Sequence, residues 1–389
     1  MIKRRLLILL ILCIAIFSGC ALAAVDPPEF RGVSVHTWIP GMLSKREVDE
    51  SIAWAKKANM NAIIVQARRV GDAYYKSDYE PRAKSIKGPG FDPLGYALQK
   101  GHKKGLEVHA WFNVYRVWSN VGVPSSANHV VNAHPEWLNK DYDGNVKADD
   151  GEFIDPGVPE AREYTVKLVG DLLKKYNVDG LMLDFIRYPS PGKQWGYSDL
   201  AVARFNEENN RSGKPDMDDP VWNQWRRDQV TAMAKAISQE VKRVRPRVKV
   251  SACTVPWGPC QADWTKTDAY SNVFQDWRLW MEKGYLDANM PMNYKNPTKE
   301  RDSQWYLDWL DGFKRWSYGR HTYNTIMLFN GNVPGAVTQA QQGRERKMEG
   351  FVGFSFCQTD CKDDLATQLR AKVFANPAPV PRMAWEKKK

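Results

Sequence analysis

The stretch from Asp179 to Pro189 reads Asp-Gly-Leu-Met-Leu-Asp-Phe-Ile-Arg-Tyr-Pro, and it is the most informative segment for the fold. Its apolar first half predicts a β-strand over 179–185. Side chains on a strand alternate between two faces, so Leu181 and Leu183 share one face and Met182 and Asp184 the other. Asp184 therefore stands at the carboxyl end of an otherwise apolar strand, where a charge needs a partner or a function.

Similar strand-type runs recur along the chain and alternate with amphipathic, helix-type runs. The other predicted strands are 33–38, 62–67, 107–114, 248–255, 288–292, 323–329 and 351–357. The predicted helices are 45–60, 93–105, 159–176, 222–244, 272–283, 299–316, 338–349 and 363–374.

This alternation predicts an α/β protein with a parallel sheet and crossover helices, and eight repeats favour closure into a single (β/α)8 barrel. An open, doubly wound sheet is the alternative, but no glycine-rich phosphate loop follows the first strand. The connections after strands are long at 68–92 and 115–158. In a barrel these loops lie at the C-terminal face, where active sites are built.

Four segments are expected from end to end: a signal peptide over 1–19, a lipidated tether over 20–30, the barrel domain over 31–376 and a basic tail over 377–389. A basic start, a short apolar run and Ser18-Gly19-Cys20 indicate export and resemble a bacterial lipoprotein cleavage box. Cys20 is then the acylated residue, and the outer membrane is the expected location in a Gram-negative host. Phe17 departs from the usual aliphatic residue, so ordinary secretion is the alternative.

The formal charge of +11 includes three basic residues at 3–5 and three lysines at 387–389, which leaves +5 for the rest. This mild excess suits an anionic polymer, and export argues against nucleic acid. Four mature cysteines, Cys253, Cys260, Cys357 and Cys361, allow three disulfide pairings that spacing does not resolve. The six histidines lack paired zinc spacing, so neither a metal nor another cofactor is expected, and we expect a monomer.

Strand alternation directs several polar side chains toward the barrel interior. They are Gln66 and Arg68 on the second strand, His109, Trp111 and Asn113 on the third, and Asp184 on the fourth. Burying an unpaired neutral polar group costs roughly 2–7 kcal/mol, so these groups must pair with each other or with a ligand. Three neighbouring strands thus deliver polar groups to one cavity, although a purely structural network is the alternative.

Hydrolysis of a glycosidic bond requires two carboxyl groups that flank the bond. Asp184 is the first candidate, with an ion pair to Arg187 or Arg68 as its structural alternative. No acid follows the fifth or the seventh strand, so the second carboxylate is sought in loops, at Asp72, at Asp155 and less strongly at Asp360. Asp155 precedes Pro156 and could simply order its loop.

Aromatic residues are abundant, with 16 Trp and 16 Tyr, and many lie beside predicted strand ends. Examples are Trp38, Tyr74, Tyr75, Trp111, Tyr115, Trp118, Tyr188, Trp195, Trp257 and Tyr294. Sugar rings stack their apolar faces on such planes, so an aromatic cleft suits a glycan.

Several motifs, taken in order, resemble the bacterial glycosyl-hydrolase-like family ten over about residues 30 to 360. They are Gln66-Ala67-Arg68, Gly71 to Tyr75, Ala110 to Arg116, Asp155-Pro156-Gly157, Asp179 to Pro189, Gln275-Asp276-Trp277 and Pro291 to Tyr294. The resemblance implies barrel-fold envelope lipoproteins, with a branch that hydrolyses peptidoglycan strands already stripped of stem peptides.

By this resemblance Asp184 is a catalytic carboxylate. The residues expected to bind substrate are Gln66, Arg68, Trp111, Asn113, Arg116, Arg187, Tyr188, Asn293 and Tyr294. The predicted function is hydrolysis of a β-linked cell-wall glycan. The alternatives are a non-catalytic, lipid-anchored glycan-binding protein and a hydrolase of another envelope polysaccharide.

Overall fold

The computed structural model describes residues 24–119, 121–296, 299–328, 333–356 and 363–383. The predicted signal peptide, Cys20, Cys357, Asp360 and Cys361 lie outside these ranges. Among the helices described, none is both long and apolar enough to cross a membrane.

Eight parallel strands close into a barrel in the order β1-β10-β9-β8-β7-β6-β3-β2, which confirms the predicted (β/α)8 fold. The barrel strands are β1 (Phe30–Val35), β2 (Ala62–Arg68), β3 (Glu107–Asn113), β6 (Gly180–Asp184), β7 (Lys249–Thr254), β8 (Ala288–Pro291), β9 (His321–Met327) and β10 (Gly350–Phe354). Two short antiparallel strands, β4 (Arg116–Trp118) and β5 (Glu152–Phe153), form a hairpin in the loop after β3.

Helices surround the barrel. They are α1 (Lys45–Lys57), α2 (Pro93–Lys103), α3 (Val130–Ala133), α4 (Pro159–Lys175), α5 (Asp199–Asn209), α6 (Pro220–Val244), α7 (Asp268–Ser271), α8 (Trp277–Glu282), α9 (Glu300–Arg315), α10 (Val333–Glu345) and α11 (Asp363–Lys372). Ser44 and Asp92 cap the first two by accepting backbone N–H groups of Glu47 and Gly95. Such caps satisfy donors that the first helical turn leaves free.

Strand alternation divides the core into two layers, as the sequence predicts. Leu181 and Leu183 pack in the large cluster between strands and helices, whereas Met182 packs with Trp111 and Met290 inside the barrel. Parallel strands buried on both faces need apolar residues on both. Each fully buried large apolar side chain contributes about 1.5–3 kcal/mol, so both layers hold β6 in its register.

A glycine is required at the start of β6. A Cβ atom at Gly180 would stand 2.2 Å from Nδ1 of His109, which fills the neighbouring space on β3. His109 is buried, and its Nε2 forms a hydrogen bond with Glu107 at 3.0 Å. Glu107 also accepts a hydrogen bond from Nζ of Lys249 at 2.6 Å. This polar layer lies at the amino end of the barrel, opposite Asp184.

Two of the elements that the sequence misplaces are β1 and the helix predicted over 272–283. β1 begins at Phe30, three residues before the predicted start, because the Phe30 ring stacks on Tyr323 inside the barrel at 4.1 Å. Of the helix predicted over 272–283, only the part from Trp277 to Glu282 forms, as α8, and α7 ends at Ser271, before the predicted start. Between them, Gln275 accepts a hydrogen bond from the Val255 backbone at 2.8 Å and so joins this segment to the end of β7.

The chain after α11 closes the bottom of the barrel instead of starting a solvated tail at residue 377. The backbone carbonyl groups of Pro377 and Pro379 accept hydrogen bonds from Asp26 and Glu29, and Met383 is 2% exposed within the inner cluster. Residues 377–383 therefore belong to the barrel domain, because they cover apolar side chains that its amino end would otherwise expose.

Cys253 and Cys260 are free thiols in the described structure. Cys253 lies inside the barrel with its Sγ 3.6 Å from Sδ of Met182, and burial raises its pKa well above the ordinary value. A buried, protonated thiol packs as a small apolar group.

Candidate active site

Asp184 ends β6 at the mouth of the barrel with its carboxyl group pointing inward. The strand stops there because Phe185 adopts a left-handed backbone with φ of 49°. Asp184 Oδ1 accepts the backbone N–H of Phe185 at 2.7 Å, and Oδ2 accepts Nε1–H of Trp111 at 3.0 Å. One carboxylate oxygen is thus held by the residue that follows Asp184, and the other by the neighbouring strand β3.

Burial raises the pKa of Asp184, while the Phe185 N–H, Arg187, Trp111 and Arg116 oppose that shift. Asp184 is only 7% exposed, so its charged form loses most of its hydration. A carboxyl group with a raised pKa is suited to donate a proton near neutral pH.

Trp111 and Asn113 support Asp184 from β3. Trp111 Nε1–H is shared between Asp184 and Oδ1 of Asn113, each at 3.0 Å. Asn113 also donates from Nδ2 to the Arg69 carbonyl at 2.7 Å and is fully buried. Asn113 therefore orients Trp111 and fixes the end of β2, whereas the sequence predicts a direct contact with substrate.

The end of β2 carries a bulge that turns Arg68 away from the barrel interior, where the sequence predicts it. The pairing register with β3 shifts between Gln66 and Arg68. Arg68 therefore turns to the helix layer, where it forms an ion pair with Glu80 at 2.7 Å, and both side chains are 0% exposed. This position corrects the predicted inward orientation of Arg68, because one extra residue in a strand reverses the faces that follow.

Arg69 takes the position at the mouth that the sequence assigns to Arg68. Its guanidinium carbon lies 5.8 Å from the ring centre of Trp38, a residue that is 46% exposed at the rim. Burial, together with the positive charge of Arg69, lowers the pKa of His36 to about 4, so this imidazole is neutral at physiological pH. His36 stacks on Trp38 at 3.7 Å between ring centres.

Arg116 and Arg187 flank Asp184 from two loops. Their guanidinium carbons lie 5.1 and 5.0 Å from the ring centre of Phe185. Arg187 is 6% exposed and donates to Oδ2 of Asp150 at 3.0 Å, and it lies 5.3 Å from the ring centre of Trp257. Both arginines thus lie beside Asp184 at the barrel mouth, and their contact with substrate stays a prediction.

Asp150 is a carboxylate of this site that sequence reasoning missed. It lies just before β5 in the hairpin, next to Arg116 and Arg187. Its Oδ1 is buried and has no hydrogen-bond partner among the described residues. No local signal marks Asp150 in the sequence, because its position depends on how the hairpin folds back over the barrel mouth.

Asp155 and Tyr188 are both buried away from solvent. Oδ1 of Asp155 accepts the Gly157 N–H at 2.8 Å, and Oδ2 accepts the Ser198 N–H at 3.3 Å. Tyr188 is 0% exposed and packs edge to face with Phe274 at 5.5 Å. These contacts give Asp155 the loop-ordering role that the sequence leaves open, and Tyr188 offers no surface to a glycan.

Asp72 lies beside Arg69 on the β2 side of the mouth. Its Oδ1 accepts the Val70 N–H at 3.0 Å, and burial raises its pKa. Gln66 points inward and accepts both the N–H and the hydroxyl of Thr37, at 3.1 and 2.7 Å. Gln66 Nε2 is buried without a hydrogen-bond partner in the part of the chain that the structure describes.

The segment after β8 contributes Asn293 and Tyr294. Asn293 is fully buried and accepts a hydrogen bond from Lys295 Nζ at 3.1 Å, so it supports the loop from within. Tyr294 packs 5.0 Å from Phe354 between ring centres, and burial raises its pKa well above the ordinary value, with Cys253 and Asp184 contributing. Tyr294 therefore lies on the Asp184 side of the mouth.

Within the described residues, no group of three His, Cys, Asp or Glu side chains has the arrangement of a metal site. What the mouth brings together is a buried acid, a second carboxylate, three arginines and the exposed ring of Trp38. Such a set can protonate a leaving oxygen and hold a hydroxyl-rich, negatively charged chain.

The curated proteins that are similar to this chain include two that are named glycosyl hydrolases. The glycosyl hydrolase YngK of Bacillus subtilis (strain 168) is 28% identical over 402 residues, covering 93% of this chain and 72% of that protein. The glycosyl hydrolase DigH of Escherichia coli (strain K12) is 28% identical over 260 residues, covering 61% of this chain and 55% of that protein.

Solved structures share the barrel. The PgaB (BpsB) glycoside hydrolase domain from Bordetella bronchiseptica superposes with a TM-score of 0.60 at 14% identity, covering 89% of this chain and 99% of that one. The catalytic domain of β-amylase from Paenibacillus polymyxa gives 0.61 at 12% identity, with 92% and 100% covered. Residues 22–310 match the family described as Glycosyl hydrolase-like 10. The chain therefore belongs to the glycosyl hydrolase-like 10 family.

Proposed function

We propose that this chain is a glycoside hydrolase that cleaves β-linked cell-wall glycan, namely peptidoglycan strands without stem peptides. The observation that carries the proposal is Asp184, a buried carboxyl group with a raised pKa at the mouth of a barrel strand. The curated relatives carry the name glycosyl hydrolase, and the aromatic and arginine residues around Asp184 suit a long, acidic sugar chain.

In this proposal Asp184 is the proton donor to the leaving glycosidic oxygen. Burial raises its pKa and so favours the protonated form, and Trp111 and the Phe185 N–H orient the group and then stabilise the carboxylate that forms. As the glycosidic bond breaks, positive charge develops on the sugar ring.

Asp150 is the second carboxylate in this mechanism. It shares Arg187 and Arg116 as neighbours with Asp184, and its Oδ1 is not engaged by any described residue. It would activate water or attack the sugar carbon on the face opposite the leaving oxygen. Both oxygens of Asp155 already bind backbone N–H groups, which favours Asp150 over Asp155.

The test is digestion of purified, peptide-free glycan strands, with the products separated by chromatography. We expect Asp184→Asn to lower kcat by about 10²- to 10⁴-fold, the usual contribution of general acid catalysis. Asp150→Asn should cause a loss of similar size, whereas Asp199→Asn, at a side chain that is 90% exposed, should not. Full activity of Asp184→Asn would refute the assignment.

An aryl glycoside with a good leaving group distinguishes the two carboxylates. Such a substrate needs little protonation, so it should recover much of the activity of Asp184→Asn but not that of Asp150→Asn. Binding of strands without any products would support the glycan-binding alternative. Inertness toward peptidoglycan strands with cleavage of another β-glycan would support a different envelope polysaccharide as substrate.

We also propose that the chain is exported and anchored through an acylated Cys20, as a monomer that acts on the polysaccharide without a cofactor. The support is the basic, apolar and small-residue order of the first 20 residues. Metabolic labelling with an alkyne fatty acid should mark the chain but not Cys20→Ser. Equal labelling of both would contradict the anchor.

A further inference from the structure

Three arginines converge on the candidate site from different parts of the chain. Arg69 follows β2, Arg116 begins β4 and Arg187 follows β6. The charged groups that act on Arg116 include Arg69, Arg187, Asp150 and Asp184, so these five side chains are close enough to interact electrostatically. Like charges at this range repel, and a protein retains such a cluster at a cost in stability.

The positive charges of this cluster exceed the negative charges around it. Asp150 pairs with Arg187 at 3.0 Å, whereas neither Arg69 nor Arg116 forms an ion pair with any described residue. Burial favours the neutral form of Asp184, and His36 is neutral. Partly buried guanidinium groups are normally paired, so among the residues that the structure describes the cluster lacks an anion.

Two hydrogen-bond donors of the cluster also lack acceptors. Nε of Arg69 and Nε of Arg116 are both buried, and neither has a hydrogen-bond partner in the described part of the chain. A buried donor without an acceptor costs about as much as a lost hydrogen bond. Arginine presents its N–H groups in a planar fork that matches the two oxygens of a carboxylate.

We propose that Arg69, Arg116 and Arg187 form a subsite for a carboxylate carried by the sugar substrate, which is the free lactyl carboxylate of a muramic acid residue. This inference rests on the proposed function and deepens it. A lactyl group that still bears a stem peptide is an uncharged amide at this position, so the subsite would select strands from which the peptide has been removed.

The subsite also gives the reaction a place in a sequence. The carboxylate becomes available when water cleaves the amide bond between the lactyl group and the first amino acid, which releases the peptide amine. An amidase-class reaction must therefore supply the substrate. The three arginines then contribute affinity only after that bond is broken, which orders the two hydrolyses.

The test compares two forms of the same glycan strands. One form is peptide-free with free lactyl carboxylates, and the other is coupled with methylamine through a carbodiimide, which turns each carboxylate into a neutral methylamide. Affinity is measured by calorimetry on Asp184→Asn, and turnover on the unsubstituted chain. We expect neutralisation to weaken binding and kcat/KM on the order of 10- to 100-fold, as lost charge-assisted hydrogen bonds do.

Arginine variants complete a cycle with these substrates. Arg69→Gln and Arg116→Gln should each lower the affinity and kcat/KM for the free-acid strands by on the order of 10- to 100-fold, and those for the methylamide strands little. Arg46→Gln, whose side chain is 72% exposed on α1, should lose nothing on either. Melting temperatures verify folding, and Arg116→Lys should recover part of the loss because it restores the charge without the fork.

The outcomes separate this inference from the proposed function. Equal cleavage of both strands would overturn the subsite and leave the hydrolase. Tighter binding of the free acid without cleavage would support the subsite and overturn the hydrolase. Inhibition by glucuronate but not by N-acetylmuramate would assign the same arginines to a uronic acid, and would overturn the lactyl assignment.

Discussion

At the scale of single residues, the buried environment of Asp184 raises the pKa of its carboxyl group, which suits proton donation but lowers the stability of the folded protein where the group is charged. Burial raises its folded-state pKa above the ordinary value of 3.8, so the folded protein binds the proton more tightly than the unfolded chain does. Stability from this group is therefore fully present below the unfolded pKa and is lost as pH rises through the folded pKa.

This linkage predicts a pH-dependent gain from Asp184→Asn. Asparagine keeps a hydrogen-bond acceptor and the size of the side chain, but it carries no charge that burial would desolvate. The melting temperature of the variant should therefore rise relative to that of the unsubstituted chain as the pH increases from about 3 to 8. Calorimetry of both proteins across that range measures the difference. A difference that is constant with pH would show that the charge of Asp184 is not what destabilises the site.

A second residue-scale lesson concerns the arginines of β2. The alternating pattern predicts Arg68 in the cavity, and the bulge instead places Arg69 there. Arg68 is engaged by Glu80 and by the Val114 carbonyl at 3.1 Å, which holds the long loop to β3. A bulge of one residue is thus enough to exchange a structural arginine for a cleft arginine.

At the scale of elements, the β4–β5 hairpin positions both Arg116 and Asp150. Gly151 lies between Asp150 and β5 with a φ of 126°, and a Cβ atom there would stand 2.3 Å from the Trp118 carbonyl and 2.8 Å from Arg116 Nε. Gly144 lies in the same connection with a φ of 93° and has no atom within 4 Å of its Cβ position.

These two glycines form a matched pair for a prediction. Both Gly151→Ala and Gly144→Ala strain the backbone, at a cost of about 1 kcal/mol each. Only Gly151→Ala should also displace Arg116 and Asp150, so it should lower kcat/KM at least about tenfold more than Gly144→Ala, by the sensitivity of catalysis to misplacement. Equal kinetics of the two variants would argue against a positioning role for the hairpin.

At the scale of the whole molecule, the two ends of the barrel carry different kinds of residue. Met383 and Val380 join the inner cluster at the amino end, whereas Asp184, Trp38 and the arginines occupy the carboxyl end. The closing segment stabilises the barrel far from the chemistry, as residues on this face generally do.

Met383→Ala should therefore reduce stability without changing catalysis. Truncating a buried methionine costs about 2–5 kcal/mol, whereas Met217→Ala, at a residue that is 38% exposed, should cost little. Denaturant unfolding measures the stabilities, and kcat/KM at a temperature where both are folded should match. A stability loss as small as that of Met217→Ala would show that the segment does not close the barrel.

The sequence by itself determined the eight-stranded barrel, the two core layers and the inward carboxyl group of Asp184, because these follow from the local alternation of side chains on strands. Only the tertiary structure decided that Arg69 replaces Arg68, that Asp150 joins the site and that Asp155 and Tyr188 are buried. The physical reason is that a bulge, a hairpin and a loop crossing depend on contacts between distant segments, which no local periodicity records.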